Sequence, residues 1–273
     1  MFTLAIVLLF VVGLGFYLAA SEGRFIYFPA REYAATPESY GLRAEPIEIA
    51  AADGTSLKGW WIRNSGREAL LYFHGNGGNI SHRLERTKML TELGLDFFLA
   101  DYRGYGKSSG SPSEAGLYAD GAAIYQAARD RGFASERIVL FGESLGCAVA
   151  IETALHHPCR AVILEAPFIS IPAMAKAIYP FLPRFLVRTR FDNGSKVPRL
   201  TMPKLVAVAE HDDVVPPKQG LRVYELAAPP KELYIIRGAT HNDTYIVGGE
   251  NYLDAWKRFL EKPAEAKAPA ATR

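Results

Sequence analysis

A doubly wound α/β fold with a mostly parallel sheet is what this chain predicts, on three observations. Between residues 47 and 260, short apolar runs alternate with longer helical stretches. The runs are apolar throughout, as strands buried on both faces of a parallel sheet must be. Only the first two runs differ, flanking a turn dipeptide as a hairpin does.

Taken in order, residues 47–51 and 57–62 are predicted to pair as that antiparallel hairpin around Asp53-Gly54. Residues 69–73, 97–100, 138–141, 161–164, 205–208 and 233–236 are the buried strands. Residues 80–93, 112–128, 145–156, 217–226 and 244–260 are the helices between them. Ser111-Pro112-Ser113-Glu114 reads as a capping box with proline in the first helical position. Residues 168–200 break the rhythm with Pro172, Pro180, Pro183 and Pro198 among aromatics. They read as a short cap insertion over the carboxyl edge of the sheet, its apolar side chains lining a pocket or covering the core.

The two ends differ from the middle. Residues 1–20 carry no charged side chain and are long enough as a helix to cross a bilayer. A membrane anchor is favoured over a cleaved signal peptide, because no basic n-region precedes the apolar run. Arg24, Arg31 and Arg43 follow it, which places the globular part on the cytoplasmic side. Residues 262–273, rich in Pro, Ala and charge, are expected to be a disordered tail, leaving 21–261 as the folded domain. Two cysteines in 273 residues exclude a disulfide-rich scaffold and a four-cysteine zinc site. A net charge of +2 without a basic block gives no footprint for nucleic acid.

Gly142-Glu143-Ser144-Leu145-Gly146 matches G-x-S-x-G, directly after a predicted strand and directly before a predicted helix. That setting lifts a serine hydroxyl onto a strained, exposed turn. Gly106-Lys107-Ser108-Ser109-Gly110 matches too, but no helix stands immediately behind it, so Ser108 reads as a turn residue. A phosphate-loop reading of the same stretch fails because Asp101 stands where the first glycine is required. A serine nucleophile needs a base oriented by an acid. Among six histidines, His241 follows the last strand and precedes the last helix. Asp212 or Asp213, after the strand at 205–208, fits the acid. An oxyanion needs preorganised donors. The N–H of Leu145 at a helix start is one; the N–H of Asn76, in the glycine-rich turn His74-Gly75-Asn76-Gly77-Gly78-Asn79, is the other.

Together these pieces resemble the α/β-hydrolase superfamily. More narrowly they resemble its membrane-anchored bud-emergence-homologue branch, near the α/β-hydrolase-domain-containing depalmitoylases and the serine-aminopeptidase-like hydrolases. Further carriers are Asp53 to Trp60, Asp101 to Gly110, Arg190-Phe191-Asp192-Asn193, Asp212 to Pro216 and His241-Asn242-Asp243-Thr244. The resemblance implies the chain order Ser144, Asp212, His241 for the triad. It selects Asp212, the aspartate preceding Asp-Val-Val-Pro. Cys147 departs from the small residue often found after the elbow and is expected to pack in the helix without reacting.

The expectation is then a membrane-anchored serine hydrolase that cleaves esters or thioesters of acyl or lipid-like substrates through an acyl-enzyme, with no metal or organic cofactor. An aminopeptidase-like peptidase would need a carboxylate for the substrate's amino terminus, from Glu143, Glu210 or Asp192. A non-enzymatic binding protein on the same fold is disfavoured because all three triad positions are filled.

Overall fold

The computed structural model describes residues 21–64 and 66–262, so the expected anchor at 1–20 and all of the expected tail after its first residue lie outside the described residues. Eight strands form the main sheet: β1 (Ala44–Ala50), β2 (Ser56–Ile62), β3 (Ala69–Phe73), β4 (Asp96–Ala100), β5 (Ile138–Glu143), β6 (Ala161–Glu165), β7 (Lys204–Ala209) and β8 (Lys231–Ile236). Their order across the sheet is β8-β7-β6-β5-β3-β4-β2-β1. β2 pairs antiparallel with β1 and with β4, and every other neighbouring pair is parallel.

β3 to β7 are buried along their whole length. Successive side chains of a strand point to opposite faces. Leu71 and Phe73 therefore enter one core, with Leu117, Ile124, Val149 and Ile151. Leu70 and Tyr72 enter the other, with Leu84, Tyr252 and Trp256. These partners come from α1 (Leu84–Leu90), α2 (Glu114–Asp130), α3 (Gly146–His156) and α6 (Thr244–Glu261); α4 (Ile171–Ile178) lies in the insertion and α5 (Pro217–Leu226) follows β7. α6 is two helical stretches joined at Gly249, where the backbone turns to φ +48°. From β3 the chain steps one way to β4, then returns to lay β5 on the other side of β3. Crevices for ligands open at the carboxyl ends of strands where the order reverses in this way. The loop after β3 and the turn after β5, which carry Asn76 and Ser144, both emerge there.

The expected helical stretch at 80–93 is divided: Ile80–Arg83 and Thr91–Leu93 are tight 3₁₀ turns on either side of α1. α2 is capped by Ser113, not Ser111: the Ser113 hydroxyl accepts from the Gly116 N–H at 3.1 Å. Glu114 does not close a capping box, because its carboxylate accepts from the N–H groups of Arg190 and Phe191 at 2.7 and 2.8 Å. It thereby fastens the insertion at 168–200 to the body of the domain. The insertion's two ends also meet, where the Asn193 side-chain amide donates to the Phe168 carbonyl at 2.9 Å.

Candidate active site

Ser144 sits on the turn between β5 and α3 with φ +52°, a left-handed conformation that an L side chain rarely adopts. The turn is held from both sides. The Ser144 N–H donates to the Glu165 carbonyl at the end of β6, at 2.8 Å. A Cβ at Gly142 would lie 2.5 Å from the Cys147 Cα, and one at Gly146 would collide with the Phe73 carbonyl. Glycine at both places is what lets the helix pack this closely behind the strand. Cys147 lies within α3, its thiol donating to the Gly142 and Glu165 carbonyls at 3.1 Å. Burial pushes that thiol well above the usual range, which keeps it protonated.

His241 and Asp212 come together from the loops after β8 and β7. The His241 Nδ1 lies 2.9 and 2.8 Å from the two Asp212 carboxylate oxygens. Asp212 Oδ1 also accepts from the N–H groups of Val214 and Val215, at 2.9 and 2.7 Å. An Nδ1–H donated to a carboxylate leaves Nε2 as the free base. Burial opposes a charge on His241, but its hydrogen bond to Asp212 and the negative charges of Asp212, Glu143 and Glu165 outweigh burial, so its pKa is raised. Asp213, the other aspartate the residues allowed, is exposed and only accepts from the His241 backbone N–H at 3.4 Å.

Asn76 is held from three directions. Its carbonyl accepts from the Phe28 N–H and the Tyr105 hydroxyl, both at 2.9 Å. Its side-chain amide donates to the Ile26 carbonyl at 2.9 Å. Among the described residues, neither the Asn76 nor the Leu145 N–H has a backbone acceptor, and both residues line the same cavity as Ser144. His74, a rival base, is buried beneath this loop. Burial and the Arg83 charge push its pKa down to about 3, so it is neutral. Of the other histidines, His211 is exposed, and His156 faces Glu152 on the helix surface. Ser108 is a buried turn residue, its hydroxyl accepting from the Lys58 N–H and donating to the Asp101 carbonyl.

Beneath the elbow lies a network the sequence reading missed. Glu143 and Glu165 are register partners at the ends of β5 and β6. Two carboxylates side by side in a dry place would repel. Arg86 answers both: its guanidinium lies 2.8 Å from Glu165 and 3.5 Å from Glu143. Arg83 adds a second contact to Glu143 at 3.2 Å. Tyr72 donates to Glu143 at 2.5 Å, and Tyr252 and Thr244 donate to Glu165 at 2.6 and 2.7 Å. Burial works against the Glu143 charge, yet Arg83, Arg86 and the Tyr72 hydroxyl hold its carboxyl well below the usual range. Thr244, which also accepts from Arg86 at 3.1 Å, starts α6 just after His241. The network therefore ties the serine turn to the histidine loop. Its sequence signal was present but weak: two arginines three apart on one helix face, and glutamates closing two otherwise apolar strands.

Above Ser144 opens a cavity of about 720 Å³. Asn76, Ser144 and Leu145 line it together with Phe168, Ile171, Met174, Leu182, Leu186 and Val215. The insertion thus does line a pocket, the first of the two roles it allowed. Glu22 also borders the cavity, but its carboxylate is taken up by the N–H groups of Arg188 and Thr189 and by the Thr189 hydroxyl, at 2.9 to 3.2 Å.

The protein Bem46 of Schizosaccharomyces pombe is 34% identical over 246 residues, which is 85% of this chain and 81% of that protein. The α/β-hydrolase domain-containing protein WAV2 of Arabidopsis thaliana is 32% identical over 279 residues, covering 92% of this chain and 91% of that one. This chain belongs to the bud-emergence branch of the α/β-hydrolase superfamily. A family model described as serine aminopeptidase, S33 matches residues 64–196 of the hydrolase. An esterase of Pyrococcus furiosus shares its fold with a TM-score of 0.72 at 22% identity, over 86% of this chain and 97% of the esterase.

Proposed function

We propose that this hydrolase is a serine esterase or thioesterase acting on acyl or lipid-like substrates, with Ser144, His241 and Asp212 as its triad and residues 1–20 as its membrane anchor. The single observation carrying the reading is Ser144 at φ +52°, on the floor of an apolar cavity. The Ser144 oxygen attacks the acyl carbon while His241 Nε2 takes its proton. Asp212 keeps the imidazole in the correct tautomer and balances the imidazolium charge. The N–H groups of Asn76 and Leu145 stabilise the oxyanion. The tetrahedral centre collapses, the C–O or C–S bond breaks, and His241 returns the proton to the leaving alcohol or thiol. Water then attacks the acyl-enzyme with His241 again as base, releasing the carboxylic acid. The catalytic domain spans 21–261 in this reading, with 168–200 as its cap, and faces the cytoplasm.

The family model's description brings an aminopeptidase reading into competition. An amino-terminal substrate needs a free carboxylate beside the elbow. Glu143 is committed to Arg83, Arg86 and Tyr72, and Glu22 to backbone N–H groups. Glu210 accepts from Arg237 and the Gly238 N–H, and Asp192 caps a helical turn. These commitments favour an uncharged acyl chain.

The test is labelling of the full chain with a fluorophosphonate, wild type beside Ser144→Ala, followed by a panel of acyl esters, thioesters and aminoacyl amides. Labelling of the wild type alone and turnover of esters or thioesters are expected. Amide turnover without ester turnover would overturn the reading in favour of the peptidase.

A further inference from the structure

The cavity's open end is ringed by side chains that a water-facing surface does not explain. Phe25 and Phe28 reach it from the amino-terminal side, and Ile178, Tyr179 and Phe181 from the insertion; all five line the cavity and all are exposed. Phe181 is 96% exposed, and Phe185, four residues on, is 82% exposed. Scattered apolar residues on a surface need no explanation, but a contiguous ring of them around a cavity mouth marks an interaction site.

Two independent observations say what meets this ring. The first is where the chain leaves the described residues. Glu22, through its bonds to Arg188 and Thr189, fixes the start of the domain against the insertion. The twenty residues before Ser21, which lack any charged side chain, therefore join the domain at the ring itself. The second is charge. Arg24, Lys176, Arg188 and Arg190 are exposed, each within three residues of a side chain that lines the cavity. Residues 168–200 hold six Lys or Arg against one acidic residue, Asp192. Aromatic and aliphatic side chains interspersed with basic ones suit the boundary between anionic headgroups and acyl chains.

We propose that the ring seats on an anionic phospholipid bilayer, so that the cavity opens into the membrane and an acyl chain enters it without crossing water. This rests on the acyl-substrate reading above for what enters, but the seating itself needs no turnover. Phe25, Phe28 and Phe181 would dip into the interface, with the four cations at headgroup level. The substrate would then be a lipid or a lipid-modified protein already resident in that leaflet.

The experiment places a tryptophan on the ring of the full chain carrying Ser144→Ala, reconstituted in vesicles of phosphatidylcholine and phosphatidylglycerol with and without brominated acyl chains. Phe185→Trp is the first variant and Phe181→Trp the second. The native Trp60, Trp61 and Trp256 of the parent set the background. Seating a few ångströms into the interface predicts that brominated lipid removes about half of the added emission. Adding Lys176→Glu and Arg188→Glu is expected to restore most of it. Equal emission with and without bromine, in both variants, overturns the proposal. Unquenched emission at long wavelength would mean a ring facing water, and unquenched blue-shifted emission a ring covered by a second copy or by residues 1–20. Because the parent is the Ser144→Ala protein, these outcomes stand apart from the esterase assay on wild type. Failure of that assay alone would remove the acyl substrate and leave the seating intact.

Discussion

The left-handed backbone of Ser144 and the pairing of His241 with Asp212 make opposite demands on stability. A left-handed L residue costs about 1–2 kcal/mol, part of which glycine avoids. Ser144→Gly is therefore expected to abolish fluorophosphonate labelling while raising unfolding free energy by up to about 1 kcal/mol, read by urea denaturation. Asp212→Asn should leave the fold intact yet lower kcat by about 10³- to 10⁴-fold, since an amide oxygen supports the tautomer poorly and carries no charge. The pH dependence has a definite sign. His241 must be neutral to act as base, and its pKa is raised above the ordinary 6.5. Activity on a soluble ester should thus be low below pH 6.5 and rise through a limb lying above it. Removing the Asp212 charge should move that limb to lower pH, and a limb unmoved in Asp212→Asn would count against the pairing. At this scale the places of Ser144, between a strand and a helix, and of His241, after the last strand, were legible from position alone. Which of Asp212 and Asp213 meets the His241 ring was not, because neighbouring residues in a loop differ only in where the chain turns them.

Among the elements, the strands were the most legible part. Residues 69–73 and 138–141 are apolar at every position because both faces of β3 and β5 are covered. The start of α2 was misjudged by two residues, since Glu114, the expected box partner, is spent on Arg190 and Phe191. Arg83 and Arg86 drew no reading from the sequence; only the register of Glu143 beside Glu165 shows why two cations belong there. Arg86→Met should accordingly lower stability by about 3–5 kcal/mol, because it leaves the buried Glu165 carboxylate without its cation while Arg83 still faces Glu143. Arg222→Ala, at an exposed pair with Glu225, should cost under about 1 kcal/mol, and the two variants can be compared in one urea series.

In the whole molecule, the cavity joins the sheet's switch point to the insertion above it, and its apolar lining predicts a chain-length profile. Each methylene buried is worth about 0.8 kcal/mol, or roughly fourfold in kcat/KM. Across a homologous series of soluble esters, kcat/KM should climb by about that factor per carbon and flatten once the 720 Å³ is filled; a flat series from the shortest ester onward would contradict an acyl pocket. The composition of 168–200 announced an insertion but not its role, since the same apolar residues serve a core or a pocket. One further consequence lies in how that insertion is hung. It leaves after β6 and returns before β7, its ends joined where Asn193 meets Phe168. A detour whose ends already touch can lengthen with only a logarithmic rise in closure entropy. Descendants of this chain can therefore exchange one insertion for another while the turn after β5 and the loops after β7 and β8 stay unaltered, so that the cavity walls and the elbow beneath them evolve on separate clocks.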